Sequence, residues 1–149
     1  MAVDANAIPK IEAWILAQLT GDSALAALVG TRIWKDFAPI GASYAAYPFV
    51  VFSMRPGSYY LQGVGECRLL TRADYLIKIV TEGYPTDAQI VALDRFDEVI
   101  GKQSAATLGG FLFSGRGISP VNYTEPRPGT PHFYNHAGSV FQIDAYPAP

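Results

Sequence analysis

The stretch Ala24–Met54, ALAALVGTRIWKDFAPIGASYAAYPFVVFSM, decides how this chain is read. It opens as a short helix, stops at Gly30, turns through Ala, Gly and Pro, and ends in an apolar run. Asp22 or Ser23 can cap the helix, whose last residue is Val29, and a glycine just past a helix is a stop signal. TRIWKDF then alternates as a short strand, with Ile33 on one face and Trp34 on the other. APIGASYAA reads as a loop, and Pro48 drives Tyr47 into an extended conformation. Phe49–Met54 is β-branched and aromatic without alternation, the pattern of a strand covered on both faces.

Upstream, Ile8, Ile11, Ile15 and Leu19 recur at spacings of three and four and predict a first helix over 8–19. Pro9 suits its first turn, where a missing N–H costs nothing. Downstream, RPGSYYLQGVGE is a Gly-rich connection with Tyr59 and Tyr60 at its centre. TRADYLIKIV alternates: Thr71, Ala73, Tyr75, Ile77 and Ile79 share one face, and Arg72, Asp74, Leu76 and Lys78 the other. This half-solvated strand is expected to pair antiparallel with Phe49–Met54.

GYPTDAQIVALDRFDEVIGKQ predicts a long amphipathic helix. Thr86 and Gln89 have capping-box spacing. Ala88, Ala92, Leu93, Phe96, Val99 and Ile100 form an apolar stripe, and Asp87, Asp94, Arg95, Asp97, Glu98 and Lys102 take the opposite side. Ile90 and Val91 break the order by projecting onto the polar side. GFLFSGRGISPVNY and a last strand ending GSVFQIDAY complete the chain. Helices and strands in runs predict an α+β fold, one domain over 1–149: a mainly antiparallel sheet with an N-terminal helix and one long amphipathic helix packed on one face.

Composition narrows function. Half of the 149 residues are hydrophobic and 16% are charged, against about a quarter in ordinary domains. Either the core is large or apolar surface is covered by other subunits. The net charge of −2 and the absence of any Lys/Arg block leave no electrostatic footprint for a nucleic-acid binder. No apolar run reaches the roughly 18 residues of a membrane span. The N-terminus does not have the pattern of a signal peptide, and a lone cysteine, Cys67, fits a reducing cytoplasm.

Reactive chemistry is sparse. His132 and His136 are the only histidines. Four apart on a strand they stand about 13 Å from each other, too far to share an ion, and read as solvated strand or loop residues. Cys67 has Arg68 beside it but no evident base. GVGE and SGRG lack the strand–loop–helix order of a phosphate cradle. No catalytic, metal or cofactor set is expected.

The segment GDSALAALVGTRIW, a spacer containing Pro39, and YPFVVF together resemble the tail-terminator or tail-completion proteins of long-tailed bacteriophages and phage-like gene-transfer particles. The matching residues are Asp22, Leu25, Leu28, Val29, Gly30, Arg32, Ile33, Tyr47, Pro48 and Val50. The resemblance implies a ring, usually a hexamer, at the head-proximal end of a tail tube, made in the host cytoplasm and residing in the virion. It would end tube polymerisation, meet the tail-tube protein on one side and a head connector or adaptor on the other, and let double-stranded DNA pass without specific binding. A head-completion adaptor of the neck is the alternative position. No cofactor and no catalysis are implied. A ring needs two different patches per subunit, and Ile90, Val91, Tyr59 and Tyr60 are the candidate interface residues, because tyrosine and apolar side chains concentrate at such contacts.

Overall fold

The computed structural model describes residues 7–38, 48–56, 60–64, 67–83, 87–126, 129 and 133–148. Helix α1 runs Ile8–Thr20 and α2 Ser23–Val29. Strand β1 is Ile33–Lys35, β2 Phe49–Met54, β3 Tyr60–Val64 and β4 Cys67–Glu82. Helix α3, Asp87–Phe96, passes into a π-helical turn at Asp97–Gly101. Strands β5 (Ala106–Leu108), β6 (Phe111–Pro126) and β7 (Phe133–Pro147) follow.

The two halves of the Ala24–Met54 stretch meet each other. The Asp22 carboxylate accepts the Leu25 N–H at 3.0 Å and so caps α2. Gly30, at φ 59°, turns the chain out of the helix. Strand β1 then lies parallel to β2, with Ile33 opposite Val50 and Lys35 opposite Phe52. Arg32 fastens the joint: its Nε donates to the Pro48 carbonyl at 3.0 Å, and its own carbonyl accepts the Val50 N–H at 2.9 Å. Tyr47 lies outside the described residues.

Strand β2 pairs antiparallel with β4, as the alternation of Thr71–Val80 predicts. The strand order is β1-β2-β4-β7-β6-β5, and β3 also pairs with β4. Odd residues of β4 and β7 face the helices, and Tyr75, Ile77, Ile79, Phe141 and Ile143 are buried there with Ile11, Trp14, Ile15, Leu25, Phe96 and Phe113 in one core. Trp14 stacks on Phe113 at 5.2 Å between ring centroids. Glu12 of α1 ties the layers together, accepting from Tyr75 Oη at 3.1 Å and pairing with Lys35 Nζ at 2.6 Å. Burial, reinforced by the Glu12 charge, pushes the Tyr75 phenol far above its ordinary range. Arg95 of α3 bridges to Asp22 at 2.7 Å and holds that carboxyl below the usual carboxylate range.

The expected fold class is overturned on both counts. The sheet is mixed and curled rather than mainly antiparallel, because β1 enters parallel to β2, and the helices are three short ones rather than one long one with an N-terminal partner. The anticipated long helix keeps α geometry only to Phe96; at Asp97 it widens into the π turn, where the Lys102 N–H reaches back five residues to the Asp97 carbonyl at 2.8 Å. A Cβ on Gly101 would stand 2.6 Å from Asp97 Oδ1, the end of a half-exposed side chain, and 3.1 Å from Phe141 Cε1, so the turn lies close against β7. The chain spends its length instead on three strands of 15 or 16 residues. Glycines and prolines in β6 interrupt the alternation that would mark its full length.

Gln89, expected in a capping box, is buried under α3 and donates from Nε2 to Thr81 Oγ1 at 2.8 Å; Thr86 lies outside the described residues. Leu93, assigned to the apolar stripe, is 37% exposed.

Candidate subunit interface

Helix α3 buries Gln89, Ala92 and Phe96 against the sheet. At about 100° per residue the next positions must leave that face. Ile90 is accordingly 68% exposed and Val91 39%. They flank the helix on different sides. Val91 shares its side with Arg95, one turn later, which reaches α2 through Asp22. Ile90 shares its side with Leu93, which looks toward β6. Tyr60 opens β3 opposite Arg72, whereas Tyr59 lies outside the described residues.

Beside Leu93 an open groove of about 340 Å³ runs between α3 and the outer half of β6. Leu93, Phe96 and Asp97 form one wall, Gly117, Pro120 and Asn122 the other, and Ala137 and Phe141 of β7 the floor. A β-bulge makes the opening: the register of β6 on β7 shifts between Gly117 and Ser119, leaving Ile118 unpaired and 41% exposed. Beyond the bulge, β6 from Ser119 to Pro126 is exposed at every residue but Val121, which is half-buried.

A second exposed apolar group stands at the other end of the strand order. After β1 the Phe37 N–H bonds the Lys35 carbonyl at 2.8 Å, two residues back, and Asp36 between them sits at φ 67°. This is a γ-turn, a strained conformation for a residue with a side chain. It leaves Phe37 74% exposed, the most exposed large hydrophobic group described, with Met54 37% exposed at the end of the adjoining β2. Sequence reading placed Phe37 inside a strand. Its signal was the Asp-Phe pair directly following three strand residues, which no periodicity distinguishes from a longer strand.

The opposite sheet face holds the chain's one described histidine. His136, expected to be solvated, is 6% exposed, while His132 lies outside the described residues. Tyr123 of β6 stacks on it at 4.3 Å, and its Nε2 meets Glu125 at 2.8 Å. With the carboxylate accepting, Nε2 carries the proton of the neutral ring; Nδ1 is buried without a hydrogen-bond partner among the described residues. Lys78 donates to Tyr123 Oη at 2.6 Å. Burial, aided by the Lys78 charge and opposed by Glu125, pushes His136 below its ordinary 6.5. The unfolded chain therefore binds a proton that the folded one refuses, and the stabilising effect of the neutral ring, complete above about pH 7, is lost as the pH falls through 6.5 toward the folded value. His136→Gln should flatten the fall in unfolding free energy between about pH 7 and pH 5. Urea titrations at several pH values check this; parallel pH profiles for the two proteins would contradict it. Among the described residues no group of three or more His, Cys, Asp or Glu side chains converges to hold a metal ion, and no helix is long and apolar enough to cross a membrane.

No protein-family model matches the chain, and no curated protein matches it. Among solved structures, a chain of the virion of a native gene transfer agent particle has a similar fold, with a TM-score of 0.61 over 90% of this chain and 94% of that one at 16% sequence identity.

Proposed function

We propose that this chain is a structural virion protein of a phage-like particle, one that assembles as a ring at the head-proximal end of the tail tube, stops tube growth and joins the tail to the head connector. The observation that carries the reading is the likeness in fold to a gene-transfer-agent virion chain across nearly the full length of both. The tail-terminator motif supports it independently. Asp22, Gly30, Arg32, Ile33 and Val50 cap α2, end it, and lock β1 parallel to β2. The residues that carry the resemblance are those that build the joint between helix and sheet. A ring at the tube end would pass double-stranded DNA through its lumen, and a net charge of −2 offers no general attraction to phosphates. The chemistry asked of such a protein is surface complementarity, and the apolar groups standing outside the core are its material. In this reading the outer face of α3 with Ile90 and Val91, and the β3 connection with Tyr59 and Tyr60, meet neighbouring subunits, and the chain acts as one unit over 1–149 without cofactor or catalysis.

Electron microscopy of particles produced without the protein tests the position. Tails of uncontrolled length, unjoined to heads, are expected. Tails of normal length beside DNA-filled heads that leak would overturn the terminator assignment and place the chain among the head-completion adaptors.

A further inference from the structure

The structure assigns a specific contact between copies: we infer that Phe37 of one subunit seats in the α3–β6 groove of the next. The inference rests on the ring reading and adds its contact geometry. Four observations converge on it. Phe37 is 74% exposed. It is held outward by a γ-turn whose central residue, Asp36, is strained at φ 67°, and strain of that kind persists where surrounding structure or function maintains it. The groove, about 340 Å³, has Leu93, Phe96, Pro120 and Phe141 on its walls and floor, a volume and lining suited to an aromatic ring. The two features lie at opposite ends of the strand order, Phe37 next to β1 and the groove next to β6.

That last point fixes the occupant. A knob and a socket on different sides of one chain cannot satisfy each other across a two-fold axis with a single patch. They produce a head-to-tail contact, which repeats from copy to copy and gives a ring where the rotation between neighbours closes. The charged groups nearby are already paired within the subunit, Lys35 with Glu12 and Asp97 with Lys102, so the contact rests on the apolar ring and its socket. Burying a phenyl ring removes about 150–250 Å² from water on its own side, a useful fraction of the roughly 800 Å² per partner of a stable interface. Leu93 at the groove wall, 37% exposed, adds apolar surface on the receiving subunit.

The test combines two measurements on the full chain. In sedimentation velocity across a concentration series, Phe37→Ser should move self-association to at least tenfold higher concentration while leaving the thermal midpoint nearly unchanged, since the side chain is 74% exposed and lies outside the core cluster. In a Cys67→Ser background, Phe37→Cys and Leu93→Cys proteins are mixed and treated with a short bismaleimide. Cross-linked dimers should form in the mixture and not in either protein alone. A wild type and Phe37→Ser that assemble equally, or Phe37→Cys cross-linking to itself, would overturn this contact and leave the ring reading standing. A wild-type chain that never assembles would overturn both.

Discussion

Gly138→Ala is expected to cost more than about 4 kcal/mol of unfolding free energy, a size reserved for changes the backbone cannot accommodate. Gly138 lies on β7 opposite Lys78 of β4. A Cβ there would stand 2.0 Å from the Ile77 carbonyl oxygen and 2.6 Å from Lys78 Cα. Both obstacles are main-chain atoms of the central strand, and neither can swing aside as a flexible side chain would. The β4–β7 ladder, which runs from Thr71 opposite Ala145 to Glu82 opposite Tyr134, would have to part at its middle. Gly117→Ala is the matched control. Its added methyl meets only Phe141 ring carbons at 3.7 and 3.9 Å, an ordinary contact, and it should change stability by less than about 1 kcal/mol. Denaturant titration of the pair decides the matter: equal, small losses would show that β4 and β7 do not approach as closely as described.

The second large effect is on assembly. Ile90→Asp combined with Val91→Asp should weaken self-association by more than a hundredfold, because a carboxylate carried into an apolar contact without a partner costs about 3–5 kcal/mol. Folding should be nearly untouched. Both side chains stand outside the core, at 68% and 39% exposure, and the added repulsion with Asp94 along the helix amounts to a few tenths of a kcal/mol. Sedimentation equilibrium measures the first expectation and circular dichroism melting the second. Unchanged association would remove the outer face of α3 from the interface. A lowered midpoint would show instead that Ile90 and Val91 help hold their own subunit together.

Much of the local structure was legible from residues. The i, i+3, i+4 pattern of Ile8, Ile11, Ile15 and Leu19 located α1, and the strict alternation through Thr71–Ile79 identified both the strand and its buried face. Asp22 and Gly30 bracketed α2 because caps are short-range chemistry, written within a few residues. What escaped was long-range. Periodicity cannot reveal that Ile33 will lie parallel to Val50, since a parallel pair is set by a connection whose path sequence spacing does not encode. Nor could it foresee the π turn at Asp97, because the apolar stripe continues through Val99 and Ile100 as an ordinary helix would. Gly115 and Gly117 of SGRG read as turn residues although they lie within one 16-residue strand. Each has a reason in the tertiary structure: a Cβ on Gly115 would strike the Ile100 carbonyl, and Gly117 adjoins the bulge.

The interface candidates divide the same way. Ile90 and Val91 were visible as breaks in a helical pattern, a local signal. Phe37 and the groove were invisible, because one depends on a positive φ at Asp36 and the other on two elements brought together from distant parts of the chain. The burial of His136 follows from Tyr123 arriving across the β6–β7 pair, twelve residues after Phe111 opens that pairing on Pro147, and no feature near His136 announces it.

Native mass spectrometry of the full chain, alone and mixed with the tube protein of the same particle, over micromolar to millimolar concentrations, meets the central claim most directly. The account predicts one closed species of fixed copy number, six of the 16.1 kDa chain, with no continuing ladder of larger forms. A 16.1 kDa monomer under every one of those conditions would contradict it.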